Sequence, residues 1–351
     1  MESKNALDKV IKKSRVHFYK PIQIAEILHE DRQNSLDLKE LSSYRNASRK
    51  WRDVVTMQLV GRISTSSARY QDDVFNENAM PPRLLVELGE LNKTTGGAVE
   101  AYIYQSMKSK LDTINDAANY IKSSTPETFR LQKLLEFFQV NPGLRRSIDK
   151  MYEITVYALF STIVKALKAE ITIEVQNKDE EVLADFESFI ELVLGLTKDN
   201  KKVTKPASLF RAGVTNAADR GLDMISNFGP VIQVKHLTLK PEDVEVIAGG
   251  IAADSILIVC VDAEKDAILA LMTQLGMESR IQGIITLSDL ESWYSTCFGE
   301  KYRSTLGYSL IADLNREFEN EFPSGKNLDP FLKERGYDSI SLPDGWNPQE
   351  E

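Results

Sequence analysis

Apolar positions recur at three- and four-residue spacing through most of the first 170 residues, which predicts helices. The helical pattern covers Asn5–Lys13, Pro21–Glu30, Ser48–Val60, Pro82–Leu91, Ala101–Ser123, Pro126–Phe138 and Leu144–Lys168. Pro21 and Pro82 stand where a helix begins, and Ser48 reads as an N-cap. Thr94–Gly97 is a turn, and Asn141-Pro142-Gly143 breaks the chain. Beyond it the period changes. Ala169–Val175 alternates as a strand does, Asp179–Leu196 is an amphipathic helix, and Ala217–Ser226, Val231–Leu239, Ser255–Val261 and Ile281–Leu287 read as strands. Helices are expected at Pro241–Ala252, Ala263–Leu275, Leu287–Phe298 and Tyr308–Phe322. A hairpin followed by strand, helix and strand implies an α/β core, a mixed central sheet flanked by helices, behind a large, mainly helical N-terminal part. The Pro-, Gly- and Asp-rich tail after Phe322 is expected to be loose.

Composition narrows the class. The 351 residues are 42% hydrophobic and 27% charged, the profile of a globular chain with room for two domains. No apolar run approaches the roughly 18 residues that span a bilayer. Met1–Arg15 lacks the apolar stretch of a signal peptide. Two cysteines, Cys260 and Cys297, make no disulfide framework. These readings place the protein in a reducing cytoplasm, with no membrane partner.

The net charge of −9 argues against a protein that coats nucleic acid non-specifically, but its distribution is uneven. Tyr44–Tyr70 carries Arg45, Arg49, Lys50, Arg52, Arg62 and Arg69 against one acid, Asp53. Lys198–Arg211 carries five bases against Asp199, whereas Arg316–Glu351 holds nine acids and four bases. A local basic cleft, as a nuclease needs, is compatible with this balance.

The chemistry concentrates in Ala217–Leu239, AADRGLDMISNFGPVIQVKHLTL. Asn227-Phe228-Gly229-Pro230 joins two strands. The first carries Asp219 and Asp223, the second Gln233, Lys235 and His236. An acid on one strand beside an oxygen donor on the next can hold Mg²⁺, a hard cation, and the carbonyl of Val234 adds a further oxygen. Lys235, two residues after Gln233, shares its face and suits the attacking water and the developing charge. With a turn near Phe228, Gln233 faces residue 223 or 224, and Asp219 lies over 10 Å further along at about 3.3 Å per residue. Asp223 is therefore the expected ligand. A two-residue loop would send it to the wrong face, so an odd loop or a bulge is expected.

Asp223, nine residues, then Gln233-Val234-Lys235 resembles the PD-(D/E)xK nuclease superfamily, with Gln in the second acid's place. The stretches FYKPIQIAEIL, KWRDVV, LVGRISTSSARYQDD, LRRSIDKMYEITVYALFSTIV, IQVKHLTL, ADSILIVCVDAEK and RIQGIITLSDLESWY are similar to the HaeII-type family of type II restriction endonucleases, from about Leu7 to Phe322. The resemblance implies Mg²⁺-dependent cleavage of both strands of double-stranded DNA at a short palindrome, RGCGCY being the expectation for the site. It also implies a homodimer matched to that symmetry and a DNA methyltransferase encoded nearby. The division expected is 1–142, helical and contributing to recognition; 143–322, the PD-(D/E)xK-like core; and 323–351, an acidic tail. With the resemblance, Arg62, Ser64, Ser66, Ser67 and Arg69 of GRISTSSARY are read as DNA contacts, although the segment also reads as a Ser/Thr-rich loop capping a helix. Lys201, Lys202, Lys205 and Arg211 precede the catalytic strand and are expected to hold the DNA backbone.

Glu187 and Glu191 lie four apart on one helix face and are weighed as a further metal-site acid against a solvated face. His236 points away from Lys235 and reads as a packed histidine. His17 and His29 have no metal spacing, Cys260 reads as a small buried hydrophobe, and Asp262 as the cap of its own helix. Two other functions fit the residues. One is a structure-specific repair or recombination nuclease with the same core, whose digests would lack a fixed ladder. The other is a non-catalytic DNA-binding or scaffold protein, which would not respond to Mg²⁺.

Overall fold

The computed structural model describes residues 1–14, 16–64, 73–141, 144, 147–197, 199–212, 222–235, 255–274, 276 and 278–348. The chain divides into two units: Met1–Met151 with Asn315–Glu351, and Tyr152–Leu314. The first division falls inside a helix, α7 below, rather than at Asn141–Gly143. The second returns the end of the chain to the first unit. No helix among the described residues is long and apolar enough to cross a membrane.

The first unit is helical, as the spacing predicts: α1 (Glu2–Lys13), α2 (Tyr19–Asn34), α3 (Ala47–Val60), α4 (Pro82–Thr94), α5 (Ala98–Ser123) and α6 (Leu131–Val140). Ser48 is not the N-cap of α3. It lies within the helix, fully buried, where its hydroxyl accepts from Gln23 Nε2 at 3.0 Å. The tail is not loose. Leu328–Arg335 is a helix, and Phe331, Leu332, Tyr337 and Trp346 are buried. Four large side chains anchor a segment whose average composition reads as polar.

Tyr337 is held by a buried carboxylate. Glu100 accepts from Arg32 Nε (2.8 Å), Arg32 Nη2 (3.0 Å), Asn92 Nδ2 (2.6 Å) and the Tyr337 hydroxyl, and His29 Nδ1 lies 3.0 Å away. Burial alone would raise the Glu100 pKa; hydrogen bonds from His29, Arg32, Asn92 and Tyr337 outweigh it and take it down to about 2, from an ordinary 4.5. A depressed carboxylate stabilises the fold above its unfolded pKa, and that contribution fades as pH falls from about 4.5 towards 2. The expected result for Glu100→Gln is a loss of about 3 kcal/mol near pH 7 that shrinks progressively below pH 4.5. Urea midpoints of both proteins at pH 3 and pH 7 check it; an equal loss at the two pH values would refute it.

The second unit is built on a mixed five-stranded sheet whose strands lie side by side in chain order. It begins in α7 (Ile148–Leu167), followed by β1 (Glu170–Glu174), a helical segment from Glu180 to Leu194, β2 (Lys202–Pro206) and β3 (Leu209–Arg211). Then come β4 (Met224–Ser226), β5 (Val231–Val234), β6 (Ile256–Val259), α8 (Lys265–Gln274), β7 (Ile281–Ile285), α9 (Leu287–Phe298) and the start of α10 (Tyr308–Glu321), whose residues from Asn315 on belong to the first unit. The expected strand over Ala217–Ser226 is seen at Met224–Ser226 and that over Val231–Leu239 at Val231–Val234. Asp219, His236 and the expected helix Pro241–Ala252 lie outside the described residues.

β3, β4 and β5 are antiparallel, whereas β5, β6 and β7 are parallel. β1 and β2 form a separate antiparallel ribbon. The apolar helix α7 serves as the sheet's floor. Tyr152 Oη donates to the Cys260 carbonyl (3.2 Å) and Tyr157 Oη to that of Leu209 (3.3 Å). Cys260 is fully buried, and burial pushes its thiol up to about 11, which excludes it as a nucleophile. Asp262 does not cap its own helix. Its carboxylate accepts from Ser288 N–H at 3.2 Å, at the start of α9, where Thr286 and Asp289 form a capping box.

Candidate active site

All four residues of β5, Val231-Ile232-Gln233-Val234, are buried, as expected of a central strand covered on both faces. A fully buried Gln in such a strand needs a partner. β4 supplies it. Met224 faces Ile232 and Ile225 faces Val231, so the connection is the three residues Asn227, Phe228 and Gly229. This is the odd loop that the facing of Asp223 and Gln233 requires. Gly229 closes it at φ 125°, which disfavours any residue with a Cβ. Asn227 fastens the tip: its side chain donates to the Pro206 carbonyl (3.0 Å) and accepts from Ser208 N–H (2.8 Å).

The register continues one step past β4, so Asp223 lies across from Gln233. Asp223 Oδ2 accepts from Gln233 Nε2 at 2.7 Å and from the backbone N–H of Val234 at 2.8 Å. The other amide atom, Gln233 Oε1, is buried and has no hydrogen-bond partner among the described residues. Asp223 N–H donates to the Ile232 carbonyl at 3.3 Å; by strand alternation the Val234 carbonyl opens on the same side, beyond the end of β4. Lys235 follows. Its N–H donates to the Val259 carbonyl at 2.8 Å, and alternation puts its half-buried side chain on the Gln233 face.

This donor set is all oxygen: one carboxylate, one unsatisfied amide oxygen and one backbone carbonyl. It suits a hard divalent cation. No group of three or more His, Cys, Asp or Glu residues gathers among the described residues, so the single carboxylate with an amide is the arrangement to be judged.

Glu153 was not legible as part of this region. It sits in α7 within the apolar run Met151–Phe160 and is buried, its Oε1 3.1 Å from Arg211 Nε. Arg211 pairs with Met224, and the N–H of the next residue, Ala212, donates to the Asp223 carbonyl at 2.9 Å. The buried ion pair thus braces the strand beside Asp223. Arg211, read as a contact to the DNA backbone, is instead an internal partner of Glu153. The signal available was the single carboxylate in the run Met151–Phe160, which demands a buried cation.

Glu187 and Glu191 lie on the Glu180–Leu194 segment, Glu187 half-buried and Glu191 exposed. Lys201, Lys202 and Lys205 lie at or on the β1–β2 ribbon. Lys202 and Lys205 are exposed, and Lys202 Nζ is 3.8 Å from Glu174. In the first unit, Arg62 Nη2 donates to the Asn320 carbonyl at 2.7 Å and lines a cleft of about 670 Å³. That cleft is not a basic groove, because Lys108 pairs with Asp329 and Lys122 with Glu319. Ser64 is half-buried; Ser66, Ser67 and Arg69 lie outside the described residues. Arg52, one of the basic stretch, is a core residue 2.6 Å from Asp53.

The HaeII restriction endonuclease family matches residues 3–337. The chain belongs to this family. It is 46% identical to the type II restriction enzyme HaeII of Haemophilus aegyptius over 338 residues, 95% of this chain and 96% of that one. It is 45% identical to the type II restriction enzyme NgoBI of Neisseria gonorrhoeae over 341 residues, 96% and 97% of the two chains. No solved structure matches. As a member of the family the chain is a restriction endonuclease, a site-specific deoxyribonuclease.

Proposed function

We propose that this restriction endonuclease is a cytoplasmic, Mg²⁺-dependent homodimer that hydrolyses both strands of double-stranded DNA at a short palindrome. Its core is a PD-(D/E)xK-like core in the QxK form. The observation that carries the proposal is the meeting of Asp223 and Gln233 across a three-residue turn, with Lys235 next on the same face. RGCGCY is the site that the family resemblance implies, and a cognate methyltransferase gene is expected beside this one.

Asp223, the Gln233 amide oxygen and the Val234 carbonyl would hold the ion. Bound there, the ion supplies charge neutralisation at the scissile phosphate and a more acidic water. The chain's own groups do the rest. The Lys235 ammonium orients the attacking water and offsets the negative charge that grows on the phosphate oxygens. The Glu153–Arg211 pair keeps the neighbouring strand fixed, so the Asp223 carboxylate stays aimed at Gln233. Exposed Lys202 and Lys205, with Lys201, meet backbone phosphates. Arg62, Ser64, Ser66, Ser67 and Arg69 contribute contacts from the first unit.

Digestion of one plasmid of known sequence tests the proposal. With Mg²⁺ the expected result is a fixed fragment ladder whose ends map to one palindrome, abolished by EDTA. A smear without fixed ends would favour a structure-specific nuclease, and cutting that survives chelation would overturn the metal assignment.

A further inference from the structure

The segment between β1 and β2 carries apolar side chains on two faces. Leu183 and Ile190 point inward, joining Leu196, Val175, Leu194 and Val203 in a small core of their own. A second set faces solvent: Val182, Phe186 (57% exposed), Phe189 (54%) and Val193 (61%), with Leu192 (84%) beside them. Large apolar side chains this exposed and this close together mark an interaction surface rather than scattered surface residues.

Three observations identify the occupant. The first is charge. Asp179, Glu180, Glu181, Asp185, Glu187 and Glu191 flank the stripe, and no base lies between Asp179 and Glu191. A phosphate backbone is repelled by such a surface, so DNA is left to the lysines of β2, and a protein partner must be met by the apolar stripe itself rather than by charge. The second is spacing. The exposed positions 182, 186, 189 and 193 step by four, three and four along two short α-helical pieces and the π-helical turn Ile190–Leu194. That series reads identically in both directions. A two-fold axis would therefore lay the stripe of one copy on that of another, Val182 against Val193 and Phe186 against Phe189. Self-complementarity of this kind is what an isologous contact demands. The third is area. At their observed exposures the five side chains from two copies bury on the order of 1,000 Å², the size at which a specific interface becomes plausible.

We propose that the Glu180–Leu194 segment is the dimerisation element and that its partner is the same segment of a second copy, antiparallel. The inference rests on the reading above, cleavage of both strands at one palindrome, for the number of copies, and on the stripe alone for where they meet.

A cross-link in the full-length protein tests the register. Val182 and Val193 are eleven residues apart, about 16 Å along a helix, too far for a disulfide within one chain. Cys260 and Cys297 are buried and do not compete. In the doubly substituted Val182→Cys, Val193→Cys protein, mild oxidation should give a covalent dimer on a non-reducing gel, whereas Val182→Cys alone should give none. Sedimentation should show wild type as a dimer, and Phe186→Ser, Phe189→Ser as a monomer with unchanged circular dichroism, its dimer Kd raised ~100-fold or more. A monomeric wild type, a dimer that survives both Ser substitutions, or no cross-link in the double variant would overturn the interface. The plasmid digest is run alongside. Cross-linking without Mg²⁺-dependent cutting would leave the interface standing and sink the active-site reading instead.

Discussion

Lys235→Ala is expected to bind DNA as the wild type does and to cleave it ~10²–10⁴ times more slowly, the usual loss when a positioned group that handles a proton or developing charge is removed. The structure explains why folding should survive. Lys235 is joined to the sheet through its backbone, whose N–H donates to the Val259 carbonyl, and that bond is indifferent to the side chain. Val231–Val234 is buried ahead of it, so the strand's packing does not depend on the ammonium. The loss should fall on kcat with KM little changed, because an ammonium that meets charge only as the phosphate reacts contributes to the transition state and not to the bound ground state. Single-turnover cleavage and gel-shift binding in Ca²⁺ separate the two. Cleavage at the wild-type rate would dismiss the Asp223–Gln233–Lys235 site altogether.

The hairpin was legible because each part has its own local cause. Asn227-Phe228-Gly229-Pro230 is turn chemistry, and the demand that Asp223 and Gln233 share a face set the parity of the loop before any coordinates. The helices of the first unit were legible in the same way, with boundaries out by a few residues. β2 and β3 were not, since three- and five-residue strands rich in lysine and arginine carry no period to read. That is also why Arg211 looked like a phosphate ligand: a base in a basic stretch gives no hint that a buried Glu, fifty-eight residues earlier, will claim it. The docked tail failed for a related reason. Phe331, Leu332, Tyr337 and Trp346 are too few to lift the segment's average, yet each is buried, and Tyr337 reaches a carboxylate more than two hundred residues away. Long-range partners of single polar groups are the part that one sequence does not display, whereas spacing and turn chemistry are local and do show.

Asp223→Asn probes the same site from the side of the carboxylate, and its expected signature differs from that of Lys235→Ala. A single oxygen, Oδ2, takes both the Gln233 and the Val234 donors, and an asparagine carbonyl with its two lone pairs can accept the same two bonds. The hairpin should therefore keep its register, and stability without metal should change by only about 1 kcal/mol. What disappears is the negative charge, the one feature of the donor set that an amide and a carbonyl cannot supply to a hard cation. Cleavage should fall ~10³-fold or more, about 4 kcal/mol of transition-state stabilisation. The thermal shift provides a readout independent of cutting. A metal at a hundred times its Kd stabilises the folded state by ~2.7 kcal/mol, so wild type should melt higher as Mg²⁺ is added, and Lys235→Ala with it. Asp223→Asn should melt at one temperature throughout the titration. Were it to lose cleavage but keep the full Mg²⁺ shift, the stabilising ion would have to be held by other oxygens, and the buried Gln233 amide oxygen, without a partner among the described residues, would need another explanation.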